Sequence, residues 1–346
     1  KDSNIKRLTV LSGLPDGELT VVSGFKNTIY IANELGGIFK YSNGKFSEDI
    51  CPLNSEKVTS ITAADENRVL FGTTAGEIFT VKEEVCEKLY SVSEISTESF
   101  PIVATSSMNG TTVAAGDENL IIIKDGKNSL IKNCCNMPGT ISAVLIDRDD
   151  FIWLGGDRGV ALYYEGTFRT LGKEDGLFSE MVYGMVEDNN ENVWVGTRGG
   201  GLFHYSDGKF RNISDKYGIK GRFIGGMLVD SSGELWIGTT MEILNFAPKF
   251  PLKIKKAGKV PLASAIFEDS SKRIWAGTSK GKIYLYTKNK FVLVKDIGGL
   301  QENFITAITE DSKGTLYFAS SSGILVLENE TFRTITTENG LPDNAV

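Results

Sequence analysis

A glycine-rich stretch from Asn192 to Phe210, NVWVGTRGGGLFHYSDGKF, decides the fold. Residues 193–196 and 202–205 are mostly apolar or aromatic, and Gly-rich and Asp-Gly turns follow them. Short apolar segments between such turns are the signature of β-hairpins. The stretch therefore predicts two antiparallel strands, with a third strand that starts at Phe210.

The chain repeats this stretch along its length. Related segments begin at residues 29, 69, 112, 152, 235, 274 and 316, which gives eight copies in all. A further short apolar strand precedes most copies, as VYGMVED does from Val182. Four strands in a unit of about 40 residues, with no helical periodicity, are typical of a β-propeller. Such units must stack, because none of them can bury its own faces.

We therefore predict an all-β protein, with a single β-propeller domain of four-stranded antiparallel blades over residues 1–346. Eight blades are preferred because eight copies are present, and seven blades plus one extra repeat are the alternative. Residues 5–11 form an outer strand with no blade before it, and we expect this strand to close the ring by adding to the last blade. Gly-Leu-Pro-Asp occurs at 13–16 and again at 340–343, so we expect the chain to be a fragment of a longer protein.

One position of the second strand carries a large residue in every copy. The residues at this position are Tyr30, Leu70, Val113, Trp153, Trp194, Trp236, Trp275 and Tyr317. An aromatic ring of this kind could stack on sugars, but we favour packing between adjacent blades because the residue type recurs wherever the blade geometry recurs. Two residues later every copy has Gly or Ala, which predicts a close approach of the neighbouring chain.

The motif D-x-x-G-x-L-W-I-G-T followed by G-L-x-x-Y resembles the two-component regulator propeller repeat, and residues 182–210 and 224–246 match it best. The resemblance implies a non-catalytic periplasmic sensor domain of a bacterial hybrid histidine kinase. Such a domain would recognise a carbohydrate-like ligand or a partner domain and pass a conformational signal towards the kinase. A protein-interaction scaffold without a small ligand is the alternative function.

Composition limits the choice of partners. The net charge is −7 without clustered Lys and Arg, which argues against nucleic acid. No apolar run approaches the roughly 20 residues needed to cross a bilayer, so we expect no membrane contact by this segment. The expected partners are an oligosaccharide or other small ligand, neighbouring domains of the same chain, and a second copy in a full-length homodimer.

Catalytic, metal and cofactor sites are not predicted. His204 is the single histidine, and no Ser-His-Asp set, H-E-x-x-H motif or Walker loop is present. We expect His204 to be a solvated or packed surface residue. Acidic residues recur after the inner strands, and we expect them to bind turn amides rather than a metal ion; they are Asp188, Asp230, Asp269 and Asp311.

The four cysteines are Cys51, Cys86, Cys134 and Cys135, and none of them forms a C-x-x-C pair. We expect unpaired thiols. One disulfide is the alternative if the protein folds in an oxidising compartment, and its partners cannot be deduced from the sequence.

Ligand contacts are expected on the turns between second and third strands and on the linkers between blades, because the copies diverge there. The candidate binding residues on the turns are Glu34, Asp157, Arg158, Arg198, Met241 and Lys280. Arg158 and Arg198 occupy similar turns of adjacent copies, so their guanidinium groups could converge on one anionic or hydroxyl-rich ligand. Two solvated loop arginines are the alternative.

Overall fold

The computed structural model describes most of the chain after residue 137 and shorter segments before it. The described residues are 19–25, 28–33, 38–42, 45–46, 51, 53, 57–65, 68–82, 85–91, 102, 104–108, 110–117, 119–124, 127–132, 138–178, 181–297, 303–311, 313–328 and 330–335.

Eight four-stranded antiparallel sheets make up the described chain, and each sheet uses four strands that are consecutive in sequence. The first three sheets comprise β1–β4 (Leu19–Phe25, Thr28–Asn33, Ile38–Ser42, Lys45–Phe46), β5–β8 (Val58–Asp65, Arg68–Thr73, Glu77–Lys82, Val85–Ser91) and β9–β12 (Ala104–Met108, Thr111–Gly116, Asn119–Lys124, Lys127–Lys132). We call these sheets blades one to eight in chain order.

The next three blades comprise β13–β16 (Ile141–Ile146, Ile152–Gly156, Gly159–Tyr164, Thr167–Leu171), β17–β20 (Val182–Glu187, Val193–Thr197, Leu202–Ser206, Lys209–Asn212) and β21–β24 (Ile224–Val229, Leu235–Thr239, Ile243–Phe246, Lys255–Gly258). The last two comprise β25–β28 (Ala263–Glu268, Ile274–Thr278, Lys282–Thr287, Lys290–Asp296) and β29–β32 (Ile305–Glu310, Leu316–Ser320, Gly323–Glu328, Thr331–Ile335). The helical elements of the described chain are a 3₁₀ turn, Lys173–Asp175, and the short helix α1, Ile213–Tyr217.

The first strand of each blade contacts the first strands of both neighbouring blades, and β1 contacts β29. The eight inner strands therefore surround one central axis, which confirms the predicted all-β propeller in its preferred eight-bladed form. All four strands of blade eight come from its own unit. The predicted outer strand at 5–11 lies outside the described residues.

Hydrophobic clusters fill the wedges between adjacent blades. One cluster joins Trp153 and Val160 of blade four to Val182, Val195 and Phe203 of blade five. Trp194 is completely buried in the next cluster, together with Ile224 and Ile237 of blade six. The tryptophan register is thus inter-blade packing, as the sequence favours.

The small residue two positions later lies under the next blade. A Cβ atom built on Gly277 would lie 2.3 Å from Cγ2 of Ile305, and one on Gly155 would lie 2.5 Å from Cγ1 of Val182. Ile305 and Val182 are the first residues of the following inner strands. Larger side chains at these glycines would push adjacent blades apart, which explains the invariant small residue.

Each tryptophan is also held by a hydrogen bond to an aspartate six residues before it. The Trp194 indole Nε1 donates to Asp188 Oδ2 at 2.7 Å, while Asp188 Oδ1 accepts from the backbone amides of Asn190 and Asn192 at 2.8 and 3.1 Å. Three further tryptophans repeat the indole bond at 2.7 Å, and a tyrosine hydroxyl replaces it at 3.1 Å; the pairs are Asp147–Trp153, Asp230–Trp236, Asp269–Trp275 and Asp311–Tyr317. The turn role of the aspartates is confirmed, and the indole bond was not predicted.

A disulfide joins Cys51, in the linker after blade one, to Cys86 in β8, with the two Cα atoms 5.3 Å apart. The expectation of unpaired thiols is therefore wrong for these two residues. Their separation of 35 residues hides the pairing from the sequence, because the propeller brings the linker and an outer strand together only in three dimensions. Cys134 and Cys135 lie outside the described residues.

Candidate functional site

The turns between second and third strands lie beside the linkers, and together they form what we call the linker face. The backbone amide of Arg158 donates to Pro138 O at 2.9 Å, and that of Arg198 donates to Met181 O at 2.9 Å. The same contact recurs from Ser279 to Leu262 O at 2.9 Å. These bonds fix the turns that carry the predicted binding residues around the end of the central axis.

The predicted residues Asp157 and Arg158 lie together in the turn after β14. Asp157 Oδ1 accepts from the Thr140 amide at 3.1 Å, and Arg158 Nε lies 3.9 Å from the same oxygen. Arg158 is thus drawn towards a carboxylate of its own turn. Among the described residues no hydrogen bond or ion pair joins Arg158 to Arg198, so their convergence on one ligand stays a prediction.

Arg198, immediately after β18, is exposed and forms an isolated antiparallel bridge with Phe223. Within the described part of the chain its guanidinium makes no hydrogen bond or ion pair, so its donors face solvent. Met241, in the corresponding turn of blade six, is 52% exposed, and Lys280 is exposed in blade seven. Glu34 lies outside the described residues.

A pair of aromatic residues, one exposed and one half-buried, adjoins Arg198. Tyr183 is the second residue of inner strand β17 and is 47% exposed; its ring meets that of Phe223 edge to face, with centroids 4.7 Å apart. Phe223 directly precedes inner strand β21. We call Met181, Tyr183, Arg198 and Phe223 the mouth patch, since they lie together at the junction of blades five and six on the linker face.

Tyr183 replaces a hydroxyl residue that otherwise ties adjacent blades together. At the same position Ser142 Oγ donates to Val182 O at 2.7 Å, and Ser264 Oγ donates to Ile305 O at 2.6 Å. Thr59 makes the equivalent bond to Ile102 O. Blade five presents an exposed ring where these blades present a bond to the next blade. The second residue of the inner strand, compared between the repeats, shows this departure in the sequence, and the sequence interpretation missed it. The residues at this position include Thr59, Ser142, Tyr183, Ser264 and Thr306.

On the opposite face, a glutamate ends several inner strands and caps a turn of the preceding blade. Glu268 accepts from the Ser231 amide at 2.8 Å, and Glu310 accepts from the Ser270 amide at 2.6 Å. Blade six has Val229 at this position. The junction between blades five and six therefore lacks both recurrent polar ties, and a large apolar cluster that includes part of α1 holds it together.

His204 is 2% exposed, so the expectation of a surface position is wrong. It pairs with Trp194 across β18 and β19, and its ring lies 4.6 Å from Trp194 and 4.8 Å from Phe250. Neither ring nitrogen has a hydrogen-bond partner within the described residues. Burial lowers the pKa of His204 from 6.5 to about 4, and the nearby Asp188 opposes this shift only in part. The imidazole is therefore neutral at neutral pH and acts as a packing element.

Crevices open at three blade junctions on the outside of the ring. They measure about 330 Å³ between blades three and four, about 510 Å³ between four and five, and about 420 Å³ between seven and eight. The largest has Trp153, Arg169, Tyr205 and Asp207 among its lining residues. Because the crevices recur in equivalent places, we attribute them to the outward divergence of the blades.

Among the described residues, no group of three or more His, Cys, Asp or Glu side chains is arranged to hold a metal ion. None of the helices in the described part of the chain has the length and apolar composition needed to span a bilayer.

The fold and its repeats define the class of protein: a β-propeller of repeated four-stranded units. The family model of the two-component regulator propeller matches residues 176–199 and 299–322. The chain thus contains repeats of that family, as the sequence motif predicts. The first match covers the linker and first half of unit five, whereas the second falls in unit eight rather than unit six. No curated protein sequence matches the chain.

Several solved structures share the fold. The extracellular domain of the putative hybrid two component system BT4673 from B. thetaiotaomicron is 17% identical with a TM-score of 0.52, and the match covers 95% of this chain and 53% of that one. The chain thus spans about half the length of that domain. The computationally designed Ika8 protein is 16% identical with a TM-score of 0.67, over 90% and 95% of the two chains. Virginiamycin B lyase from Staphylococcus aureus is 12% identical with a TM-score of 0.57, over 77% and 92%. At these identities the likeness concerns the fold.

Proposed function

We propose that the chain is a non-catalytic ligand-recognition propeller, the periplasmic sensor region of a hybrid two-component histidine kinase that responds to a carbohydrate-like ligand. The single observation that carries this proposal is the exposed Tyr183 ring against the half-buried Phe223, beside Arg198, whose guanidinium has no partner among the described residues. Its place on the linker face supports recognition by residues that differ between the copies, because repeated strand residues are already used for packing.

The chemistry of the mouth patch suits a sugar. The face of an aromatic ring is electron-rich and attracts the weakly positive C–H groups of a pyranose ring. A guanidinium offers planar donors that bind hydroxyl or carboxylate oxygens. Apolar platforms with a few directed polar groups are the usual composition of small-ligand sites. Tyr183 and Phe223 would supply the platform, and Arg198 the directed donors.

The proposed location rests on two further observations. The Cys51–Cys86 disulfide is a bond that forms and persists in oxidising compartments such as the bacterial periplasm. Proteins with this fold include the extracellular domain of a putative hybrid two component system. The kinase, the membrane anchor and the transmitted signal would belong to other parts of the protein.

Recognition of a protein partner is the second candidate function. Phe178 is 67% exposed and Met241 is 52% exposed, and both belong to the linker face. Aromatic residues, Met and Arg are enriched at protein interfaces, so these residues would extend the mouth patch to a docking surface. An enzyme resembling the propeller lyases is disfavoured, because the single histidine, His204, is buried against aromatic rings.

We expect calorimetric titration against a panel of acidic and neutral oligosaccharides to give binding that depends on the mouth patch. Arg198→Ala should weaken binding about tenfold or more, since a charge-assisted hydrogen bond contributes about 1.5–3 kcal/mol. Tyr183→Ala should also weaken binding, because it removes the aromatic platform. Both side chains are exposed, so folding should change by no more than about 0.5 kcal/mol.

Matched controls lie away from the linker face. Tyr164 is 39% exposed and stacks on Phe151, so Tyr164→Ala removes an exposed tyrosine without touching the patch. Lys209→Ala removes a cation from the opposite face. If no sugar binds the parent chain, or if the patch variants bind as well as the controls, the carbohydrate proposal fails and the protein-partner proposal replaces it.

A further inference from the structure

The outermost strand of blade seven, β28 (Lys290–Asp296), exposes three consecutive apolar residues. Val292, Leu293 and Val294 are 39%, 46% and 39% exposed. Successive side chains of a strand point to opposite faces, so consecutive exposure leaves both faces of the strand uncovered. The pairing of β28 with β27 shifts between Leu293 and Lys295, and this bulge turns Val294 outward as well.

The other outer strands with described side chains do not share this feature. Charged or polar residues occupy their exposed interior positions: Glu87 and Lys88 in β8, Asn128 and Ser129 in β12, Arg169 and Thr170 in β16, Arg211 in β20, and Lys256 in β24. Natural proteins protect edge strands with such residues, because an unprotected edge pairs with other chains. β28 has the bulge at Val294 but no such charged or polar residue among its three exposed central positions, and this apolar run marks a surface that is covered in use.

The backbone of β28 is an open sheet edge. Within the described chain β28 is paired with β27 alone, as the last strand of its sheet. Alternate amides and carbonyls of this seven-residue strand therefore point to an outer edge that has no partner strand among the described residues. An extended strand that pairs with this edge would satisfy those groups and cover the apolar side chains at the same time.

We propose that the occupant of this edge is β28 of a second copy, paired antiparallel about a two-fold axis through Leu293. In this register Lys290 lies opposite Asp296 of the partner subunit, and Val292 lies opposite Val294 of the partner subunit. Opposite charges and apolar pairs directly across antiparallel strands are favourable. A two-fold interface must be complementary to itself, and the sequence KFVLVKD meets that condition.

The dimer would continue the four-stranded sheet of blade seven into an eight-stranded sheet across two propellers. One strand pair buries less than the roughly 1,000 Å² of a stable interface, so the association is weak and depends on concentration. In a longer protein, tethering of both copies would raise their effective concentration and favour the same contact.

Sedimentation velocity of the chain from about 10 to about 500 µM should show a monomer that becomes a dimer, as expected for a weak interface. Leu293→Lys places like charges opposite each other at the two-fold axis and should keep the chain monomeric. Ser129→Lys adds the same charge to the exposed interior of β12 and should dimerise like the parent. A parent chain that stays monomeric, or a Leu293→Lys variant that still dimerises, would overturn the proposal.

The register has its own test. Opposed residues of antiparallel strands have Cα atoms about 4.5–5.5 Å apart, within the range that a disulfide bridges. Leu293→Cys should therefore give a covalent dimer under mild oxidation on a non-reducing gel, whereas Ser129→Cys and the parent should not. Equal cross-linking of the Ser129→Cys variant, or none at Leu293→Cys, would contradict pairing about Leu293.

Discussion

Replacing Trp194 with alanine is expected to lower the free energy of unfolding by about 3–5 kcal/mol, the usual cost of deleting a large buried aromatic side chain. The ring is completely buried between blades five and six, where it packs against Phe246 with centroids 5.5 Å apart. Its loss also removes the indole donor from Asp188, which is itself fully buried. The cavity and the loss of one hydrogen bond to Asp188 act in the same direction.

Urea denaturation followed by circular dichroism measures this loss. Trp194→Tyr is the informative control, because blade eight already uses Tyr317 with its hydroxyl on Asp311 at 3.1 Å. We expect the tyrosine variant to lose less stability than the alanine variant, since it keeps a ring and a donor. If Trp194→Ala kept the parent's stability and lost oligosaccharide binding instead, the packing assignment would be wrong.

Protonation of His204 is expected to lower the free energy of unfolding by about 3 kcal/mol as the pH is lowered from 6.5 to 4. Burial lowers the folded pKa of His204 to about 4, whereas 6.5 is its ordinary value. Between these values the unfolded chain binds a proton that the folded chain does not bind, so acid favours unfolding. The contribution is fully present above pH 6.5, is lost as the pH falls, and is constant below about 4.

The charged groups around His204 change the pH range of this stability loss only slightly. Asp188 and Asp207 favour the protonated ring and Arg211 opposes it, but burial is the largest cause. His204→Leu isolates the effect, because Leu162 and Leu285 pair with tryptophans at the same register in blades four and seven. Denaturant unfolding from pH 7 to pH 4 should show a smaller loss of stability for this variant. Parallel pH profiles for parent and variant would contradict a buried neutral histidine.

The sequence predicted what repeats and missed what departs from the repeat. A large residue such as Trp194 and a small residue such as Gly277 recur at fixed positions of the second strand in every copy. Their packing could therefore be predicted from the blade geometry. The hydrogen bond from Trp194 to Asp188 was missed because each residue already had a role: packing between blades for the tryptophan, and binding of turn amides for the aspartate. Asp188 follows the end of β17 and Trp194 lies in β18, so no helix or strand period relates them, and only the turn between the two strands brings the carboxylate to the indole.

Residues that differ from the repeat in one blade only were the ones that indicated a functional site. Tyr183 stands where several other blades have a hydroxyl residue, such as Ser142 and Ser264. Its significance depends on the hydrogen bond to the next blade that these residues make and that Tyr183 does not make. His204 was placed at the surface because Lys40 occupies the same register in blade one. The bulky neighbours that bury it, among them Phe250, come from a segment outside the repeated strands. The sequence allows the copies to be compared with one another, but it does not show which residues of different segments come into contact.

The central claim is that the mouth patch recognises a sugar, and hydrogen–deuterium exchange of the backbone amides tests it most directly. The chain is compared with and without the oligosaccharide that binds most tightly in the panel. A bound ligand stabilises the segments that it contacts against local opening. Our account predicts added protection confined to residues 181–184, 198–201 and 221–224. Protection confined to the opposite face, such as at residues 206–209, or no change at saturating ligand, would contradict it.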